Sequence, residues 1–234
     1  MSTIFNCYNT RLVACLLAVC GLINVAEAQY YYKDIVVTNQ INANYRVLKN
    51  NKVSSVVLTP AALDPSQNSV VLKQTVYPGL HLVITYTKVP DAPESWLKSY
   101  YNAEGFLVKT ADSSADVVTT SLYQYDASGR LSSISSNSVP VNDPAEKEVH
   151  TWHYNSNGQP VDMVKIKDGT DTTLVSFVPD EQGNPGEEKA MRNKNSLGSI
   201  YYYFDALSFV FIASISMYIS LYCSNNLGMS FHFS

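Results

Sequence analysis

The segment that decides the fold is Leu122-Tyr123-Gln124-Tyr125-Asp126-Ala127-Ser128-Gly129-Arg130-Leu131. In an extended strand, the rings of Tyr123 and Tyr125 point to the same face of a sheet. Asp126 suits the first position of a type I turn, where its carboxylate accepts a backbone hydrogen bond. Gly129 then supplies the left-handed conformation that closes a short hairpin with a bulge. The segment therefore predicts a β-hairpin whose tip ends at Gly129.

The phrase at the centre of this segment recurs: an aromatic residue, Asn or Asp, two small or polar residues, and Gly. Clear copies begin at Tyr101, Tyr125 and Tyr154, a weaker one at Pro179 and an incomplete one at Phe204, so that successive copies are 24 to 29 residues apart. A near-constant period of this size indicates a repeat architecture. We therefore predict an all-β fold of stacked antiparallel β-hairpins that form an open, twisted repeat sheet, with structural turns at Gly105, Gly129, Gly158 and Gly183.

Further strands are predicted from stretches rich in Val, Ile, Leu, Tyr and Thr, at residues 35–38, 53–58, 70–77 and 80–89. A turn is expected at Tyr77-Pro78-Gly79. No amphipathic helix of useful length is expected before residue 206. Loops are expected where Pro, Gly, Glu and other polar residues accumulate, at residues 91–94, 140–147 and 182–189.

The N-terminus has the features of a secretory signal peptide. Arg11 precedes the apolar residues 12–25, and Ala26-Glu27-Ala28 forms an A-x-A cleavage site. The apolar stretch is short for a transmembrane helix. We therefore expect cleavage after Ala28 and a chain that is secreted, periplasmic or displayed at the cell surface. Lipidation at Cys15 or Cys20 remains an alternative.

Composition bears on how the fold is stabilised and on its partners. Three of the four cysteines precede residue 29 and the fourth is Cys223. The intervening body therefore depends on packing and sheet hydrogen bonds, although an exported protein is free to use disulfides. The formal net charge is −4 and the chain has no basic patch. Nucleic acid is therefore not an expected partner.

The C-terminal segment differs in composition from the rest. After Asp205 the chain has no Asp, Glu, Lys or Arg, and residues 206–223 are apolar or carry small hydroxyl groups. Three interpretations remain open: a membrane anchor of just sufficient length, buried strands, or out-of-frame sequence, since the repeat that begins at Phe204 breaks off where the charge disappears. The domain prediction is a signal peptide at 1–28, an N-terminal β region at 29–90, hairpin repeats at 91–206 and an apolar tail at 207–234.

The sequence contains no recognisable catalytic, cofactor-binding or metal-binding motif. His150 and His153 are three residues apart, so on a strand they face opposite sides and cannot share a metal. The stretch Asp168-Gly169-Thr170-Asp171 lacks the spacing of a calcium loop and is predicted to be a hairpin turn. Glu187 and Glu188 are expected in a solvated loop. We predict that the chain is not an enzyme and holds no cofactor, with a hydrolase site assembled in space as the alternative.

Aromatic rings exposed on a sheet can form a platform for sugar rings. The nearest candidates for such binding are Trp96, Tyr123 and Trp152. Packing in the core is the alternative for each of them, because large aromatic side chains dominate core energetics.

The stretch from Tyr123 to Leu131 resembles the core of a YD repeat, as found in the RHS family of secreted bacterial proteins. The resemblance covers about residues 97–206. Phe106 and Gln159 stand where the family has Arg after Gly, and Pro179 stands where it has Tyr. The resemblance implies long hairpins stacked edge to edge into a coiling sheet. Large RHS proteins resemble closed shells around a toxic cargo, which four or five hairpins cannot form.

Together these observations predict an exported, non-catalytic β-repeat scaffold of the cell envelope or extracellular space that binds protein or glycan. The alternatives are a fragment of a larger RHS-type, toxin-delivering secreted protein and a secreted hydrolase. A membrane partner is expected only if the C-terminal tail is native or the chain is lipidated.

Overall fold

The computed structural model describes residues 31–60, 71–89, 92–113, 116–204, 210–213 and 229–233. The predicted signal peptide and most of the apolar tail lie outside these residues. The described part contains the helix α1 (Tyr32–Asn50), a short 3-10 helix (Pro78–Leu80) and strands. The strands are β1 (Ser55–Pro60), β2 (Val71–Tyr77), β3 (Leu82–Lys88), β4 (Ser95–Tyr101), β5 (Leu107–Ser113), β6 (Val117–Tyr125), β7 (Leu131–Pro140), β8 (Glu146–Tyr154), β9 (Pro160–Lys167), β10 (Asp171–Pro179), β11 (Pro185–Arg192), β12 (Asn195–Phe204), β13 (Val210–Ala213) and β14 (Met229–Phe233).

These strands form a single 14-stranded sheet in which neighbours are antiparallel. From β1 to β13 each strand pairs with the next one in sequence, so the chain meanders across the sheet through successive hairpins. β14 is the exception, because it pairs with β1 at the edge opposite β13. The predicted all-β architecture of antiparallel hairpins in an open sheet is therefore confirmed.

The turn glycines lie at the hairpin tips, as predicted. Each has a φ between 77° and 84°, in the left-handed region that Gly enters without a Cβ penalty. A register shift accompanies each of these hairpins where it enters the turn, which is the expected bulge. The glycines are Gly105, Gly129, Gly158 and Gly183.

The Asn or Asp that opens each turn acts as the sequence indicates. Asp126 Oδ1 accepts hydrogen bonds from the backbone N–H groups of Ser128 and Arg130, both at 2.9 Å. Asp180 Oδ1 accepts equivalent bonds from the residues two and four positions later, at 2.9 and 2.8 Å. The copy at Pro179 is therefore a complete turn in structure although its aromatic residue is missing.

The N-terminal region contains a helix where strand was predicted. The predictions of a strand at residues 35–38 and of no helix before residue 206 are wrong, because these residues lie within α1. Their β-branched side chains favour strand locally, but packing against the sheet overrides this preference. The buried residues of α1 recur at intervals of three and four, as a helical face requires. They are Ile35, Thr38, Asn42 and Tyr45, so half of this face is polar and the helical pattern is hidden.

Helix α1 lies across one face of the sheet, which we call the helix face, and the opposite face is called the outer face. Near the N-terminal end of the helix, Ile35 packs in a cluster with Trp152 and Met163. Near its C-terminal end, the ring of Tyr45 stacks on Tyr101 with centroids 3.7 Å apart. Burial of a large apolar side chain contributes about 1.5–3 kcal/mol, so these clusters are the main link between helix and sheet.

Most of the other predicted elements are confirmed. Strands occupy most of residues 53–58, 70–77 and 80–89, and the 3-10 helix forms the turn between β2 and β3. Of the loop predicted at 140–147, residues 141–145 separate β7 from β8, whereas Pro140 ends β7 and residues 146–147 begin β8. The loop predicted at 182–189 is wrong beyond the turn itself, because β11 begins at Pro185 and pairs on both sides. Within the described residues, no helix is both long and apolar enough to cross a membrane.

Candidate functional site

The repeats are joined by their tyrosine hydroxyl groups. Tyr125 Oη donates a hydrogen bond to the carbonyl oxygen of Leu107 at 2.9 Å, and Tyr154 Oη donates one to the carbonyl of Leu131 at 2.7 Å. Leu107 and Leu131 occupy the same position, two residues after the turn glycine of their own copy. Each tyrosine therefore binds the backbone of the preceding hairpin, and the sequence repeat is also a repeat of contacts.

The residue that follows each turn glycine covers the glycine of the next hairpin. A Cβ added to Gly129 would lie 3.0 Å from the ring of Phe106, and one added to Gly158 would lie 3.2 Å from Arg130. Gln159 Nε2 donates a hydrogen bond to the carbonyl oxygen of Gly183 at 2.6 Å. Glycine is therefore required at these tips for its backbone conformation, and at Gly129 a side chain would in addition press on the ring of Phe106.

Helix α1 supplies the equivalent covering residue for the first hairpin. Arg46 packs against Gly105, where an added Cβ would lie 3.0 Å from its Cγ. Its guanidinium lies 4.7 Å above the centre of the Phe106 ring, in cation–π geometry. Lys49 Nζ donates to the carbonyl oxygen of Ala103 at 3.1 Å. The C-terminal end of α1 therefore caps the start of the row of hairpin tips.

A buried carboxylate holds the other end of the helix. Glu188, on β11, is only 1 % exposed and accepts hydrogen bonds from the backbone N–H groups of Tyr31 and Tyr32 at 3.0–3.1 Å. It also accepts one from Tyr202 Oη at 2.5 Å. A negative charge at this position interacts favourably with the helix dipole. The expectation that Glu188 is solvated is wrong, because it caps the N-terminus of α1.

A buried amide links the middle of the helix to the repeats. Asn42 Oδ1 accepts a hydrogen bond from the backbone N–H of Leu107 at 2.8 Å, and its Nδ2 donates to Tyr125 Oη at 3.2 Å. Asn42 therefore joins the helix to the same tyrosine–carbonyl pair that joins two hairpins. Its amide oxygen thereby satisfies a backbone N–H group that is buried under the helix.

Four ionisable side chains in mutual contact lie beneath the first turns of α1. His150 Nδ1 is 2.9 Å from Asp34 Oδ2 on the helix, and His150 Nε2 is 2.8 Å from Glu148 Oε1 on the sheet. Glu148 Oε2 is in turn 2.6 Å from Lys165 Nζ. Ionised carboxylates only accept hydrogen bonds, so both ring nitrogens of His150 act as donors. We call these four side chains the ionic cluster.

Burial and hydrogen bonding oppose each other in the ionic cluster. Burial lowers the pKa of His150, but hydrogen bonds to Asp34 and Glu148 outweigh this effect and leave the pKa above its usual value. The hydrogen bond from His150, together with Lys165, lowers the pKa of Glu148 to about 2 in spite of burial. The cluster is therefore a charged network in which two carboxylates balance an imidazolium and an ammonium group.

A cavity of about 170 Å³ lies beside this network, between α1 and the helix face. Carboxylates of Asp34 and Glu148 and the ring of His150 form one side of it. Its other lining residues carry hydroxyl groups or an apolar side chain, and they are Ser121, Tyr123, Ser136 and Ile134. The hydroxyl oxygens of Ser121 and Ser136 are 2.8 Å apart and share a hydrogen bond.

The three aromatic residues considered for sugar binding do not form one platform. Trp152 is 3 % exposed and lies in the core under α1. Its Nε1 has no hydrogen-bond partner among the described residues. Tyr123 is half-buried on the helix face, where it lines the cavity. Trp96 is 46 % exposed on the outer face, and its ring centre lies 4.7 Å from that of Tyr86.

The predictions for the two histidines and for the turn at Asp168 agree with the described geometry. His150 and His153 lie on opposite faces of β8, since His150 contacts the helix while His153 is exposed beside Asp162. Residues 168–170 form the tight turn between β9 and β10. Within the described residues, no group of three His, Cys, Asp or Glu side chains is arranged to hold a metal ion.

The ionic cluster was missed at the sequence level, although part of it was detectable. Glu148 and His150 are two residues apart on a strand, which places both on one face. Lys165 and Asp34 join them only through the register of β8 with β9 and through the unexpected helix.

No known protein-family model matches the chain, and no curated protein is significantly similar to it.

Proposed function

We propose that the chain is an exported, non-catalytic β-repeat scaffold that binds protein or glycan through the outer face of its sheet. The signal-peptide pattern at residues 1–28 supports export. The resemblance of the hairpin repeats to YD repeats supports a scaffold. The observation that carries the proposal is that the buried acid–base groups in the described part of the chain are committed to holding α1.

Catalysis by the ionic cluster would require a group that can exchange a proton with a substrate. His150 is the obvious candidate, but both of its ring nitrogens face carboxylates within 2.9 Å. Glu148 uses one oxygen for His150 and the other for Lys165. Glu188 is occupied by the helix N-terminus and by Tyr202. Each of these buried ionic groups therefore has a structural role, which is to support α1.

The outer face offers a surface suited to binding. Trp96 and Tyr86 are cross-strand partners, and their rings are tilted by 49°. The same row of the sheet continues through Ser113 to the exposed side chains of Val118 and Val139. Aromatic rings beside an apolar row are typical of sites that bind sugars or protein side chains, because such surfaces lose little on desolvation.

A glycan array and a pull-down from cell-envelope extract test the proposal with the folded protein. Trp96→Ala is expected to weaken the binding at least tenfold, because it removes the exposed ring. Tyr201→Ala is the matched control, since Tyr201 is exposed to a similar extent, 48 %, near the far edge of the sheet. An empty array together with no saturable protein partner, or equal effects of the two variants, would contradict the proposal.

A second candidate is a part of a larger RHS-type secreted protein. The turn at residues 179–183 favours it, because this turn keeps the full hydrogen bonding of the repeat despite its altered sequence. The periodic architecture therefore continues as far as β12, where the next copy begins at Phe204. Sequencing of the gene region tests this candidate. Absence of further repeat-coding sequence in any frame downstream would argue against it.

A further inference from the structure

The side chains that line the cavity beneath the first turns of α1 have more hydrogen-bonding capacity than is needed to hold the helix. Its volume of about 170 Å³ far exceeds the roughly 10–15 Å³ that one water molecule requires. Apolar cavities of this size stay dry, but this one is lined mainly by polar side chains. It is therefore large enough and polar enough for a small ligand.

The lining combines hydrogen-bond acceptors with groups that both donate and accept. Asp34 and Glu148 each accept one bond from His150, yet a carboxylate has about four acceptor positions. Ser121 Oγ and Ser136 Oγ share one hydrogen bond, and the hydroxyl group of Tyr123 is also bonded to Ser121. When Ser121 donates to Ser136, the hydroxyl proton of Ser136 is left for a ligand. Tyr123 adds its ring, and Ile134 adds an apolar surface.

The charge balance argues against an ionic ligand. The two carboxylates of the ionic cluster are matched by His150 and by Lys165, whose Nζ is 2.6 Å from Glu148 Oε2. A further cation would find its carboxylates already neutralised, and an anion would approach Asp34 and Glu148 at close range. A buried charge without a partner is costly, so a neutral ligand is favoured.

Solvent reaches the cavity at its carboxylate side. The side chain of Asp34 is 31 % exposed and that of Glu148 is 33 % exposed. His150, deeper in the cluster, is less accessible than either carboxylate. The carboxylates of the cavity are therefore in contact with solvent, and a ligand would approach from that side.

From this arrangement we propose that the cavity binds a neutral polyhydroxyl ligand, a monosaccharide or the terminal sugar of a glycan. A sugar hydroxyl donates to a carboxylate while it accepts from a serine hydroxyl, which is the mixture that Asp34, Glu148, Ser121 and Ser136 present. The apolar C–H face of the sugar packs on the ring of Tyr123 and on Ile134. This site lies on the helix face and is independent of the outer-face surface at Trp96.

Saturation-transfer NMR and calorimetry with glucose, galactose, mannose and N-acetylglucosamine test the proposal on the full exported chain. At least one of these sugars is expected to bind saturably to the wild-type protein. Ser136→Val, which replaces the hydroxyl by an apolar group, is expected to weaken binding at least tenfold. Ser121→Ala, which removes the second serine hydroxyl group of the cavity, serves as a second cavity variant if Ser136→Val unfolds the protein. It is expected to weaken binding by a smaller factor, because it leaves the hydroxyl group of Ser136 in place.

Trp96→Ala separates this proposal from the proposed function. Retained binding in Trp96→Ala with loss in the cavity variants supports the cavity. Loss in Trp96→Ala with retention in folded cavity variants would assign the sugar to the outer face and overturn the inference. No saturable binding of any of the four sugars, or tighter binding of ethanolamine or acetate as charged probes, would also overturn it, while leaving protein binding by the outer face untouched.

Discussion

The hydroxyl group of Tyr154 donates a 2.7 Å hydrogen bond to the carbonyl oxygen of Leu131, which lies in the preceding hairpin. The phenol is half-buried, and burial raises its pKa well above the usual value. Tyr125 makes the equivalent bond to Leu107. These bonds connect successive copies of the recurring sequence phrase into a row of hairpins, so their loss should destabilise the sheet.

Tyr154→Phe is expected to lower the free energy of unfolding by about 0.5–1.5 kcal/mol, the usual net value of one such hydrogen bond. Urea denaturation followed by fluorescence measures this change. Tyr77→Phe is the control and should change little, because the side chain of Tyr77 is 41 % exposed. Equal stability of Tyr154→Phe and the wild type would mean that this hydroxyl group does not join the hairpins.

Gly129→Ala is expected to destabilise the protein by about 1–2 kcal/mol, the cost of a left-handed residue with a Cβ. Gly129 has a φ of 77°, and the new methyl group would lie 3.0 Å from the ring of Phe106. Gly79→Ala is the matched control, because a Cβ at Gly79 meets nothing within 4 Å. Thermal unfolding of the two variants compares them, and a larger loss for Gly79→Ala would refute the assignment of the tips.

Glu188→Ala is expected to lower the free energy of unfolding by about 1–3 kcal/mol, because it leaves buried N–H groups without an acceptor. Its neighbour Glu187 lies on the outer face and pairs with Lys189 at 3.2 Å. Glu187→Ala should cost less than Glu188→Ala, because the side chain of its partner Lys189 is 51 % exposed and no buried helix N–H group loses its acceptor. Chemical denaturation distinguishes the two, and helix capping by Glu188 is ruled out if both variants lose the same amount.

Stability should depend on pH through the ionic cluster. The pKa of His150 is raised in the folded state, so its contribution is complete below about pH 6.5, the unfolded value. It is lost as the pH rises through the folded pKa. The pKa of Glu148 is lowered to about 2, so its contribution is complete above about pH 4.3 and is lost as the pH falls towards 2.

The advantage of the wild type over His150→Gln should therefore be largest between about pH 4.5 and 6.5. Burial raises the pKa of Glu188, but this group is present in both proteins and cancels from the comparison. Urea denaturation at a series of pH values measures the difference. A difference that grows steadily from pH 6 to pH 9 would contradict the charged state of His150.

The hairpins were predictable from sequence because their information is local. A turn needs Asp126 and Gly129 within four residues, and the strands need only alternation around Tyr123 and Tyr125. The same local rules apply to the turn after Pro179, which forms with Asp180 and Gly183 in place although the aromatic residue is missing.

Helix α1 and the ionic cluster were not predictable in this way because their information is distributed. The buried face of α1 includes Thr38 and Asn42, whose polar groups make sense only beside the sheet that they contact. Glu188 accepts a hydrogen bond from the backbone N–H of Tyr31, which is 157 residues away in the sequence. No local sequence window therefore contains both residues. The surrounding Pro-Gly-Glu-Glu composition resembles a loop, and only pairing with β10 and β12 makes it a strand.

We propose that His150 is a doubly donating imidazolium that fastens α1 to the sheet and is therefore unavailable as a catalytic base. A nitrogen-15 NMR titration of the histidine rings, with assignment by His150→Gln, measures this charge state. Both ring nitrogens of His150 should be protonated and hydrogen-bonded below about pH 6, and the ring should lose its proton at a pH above the usual histidine value, because its pKa is raised. A ring with one unprotonated nitrogen below about pH 6 would refute the doubly donating state.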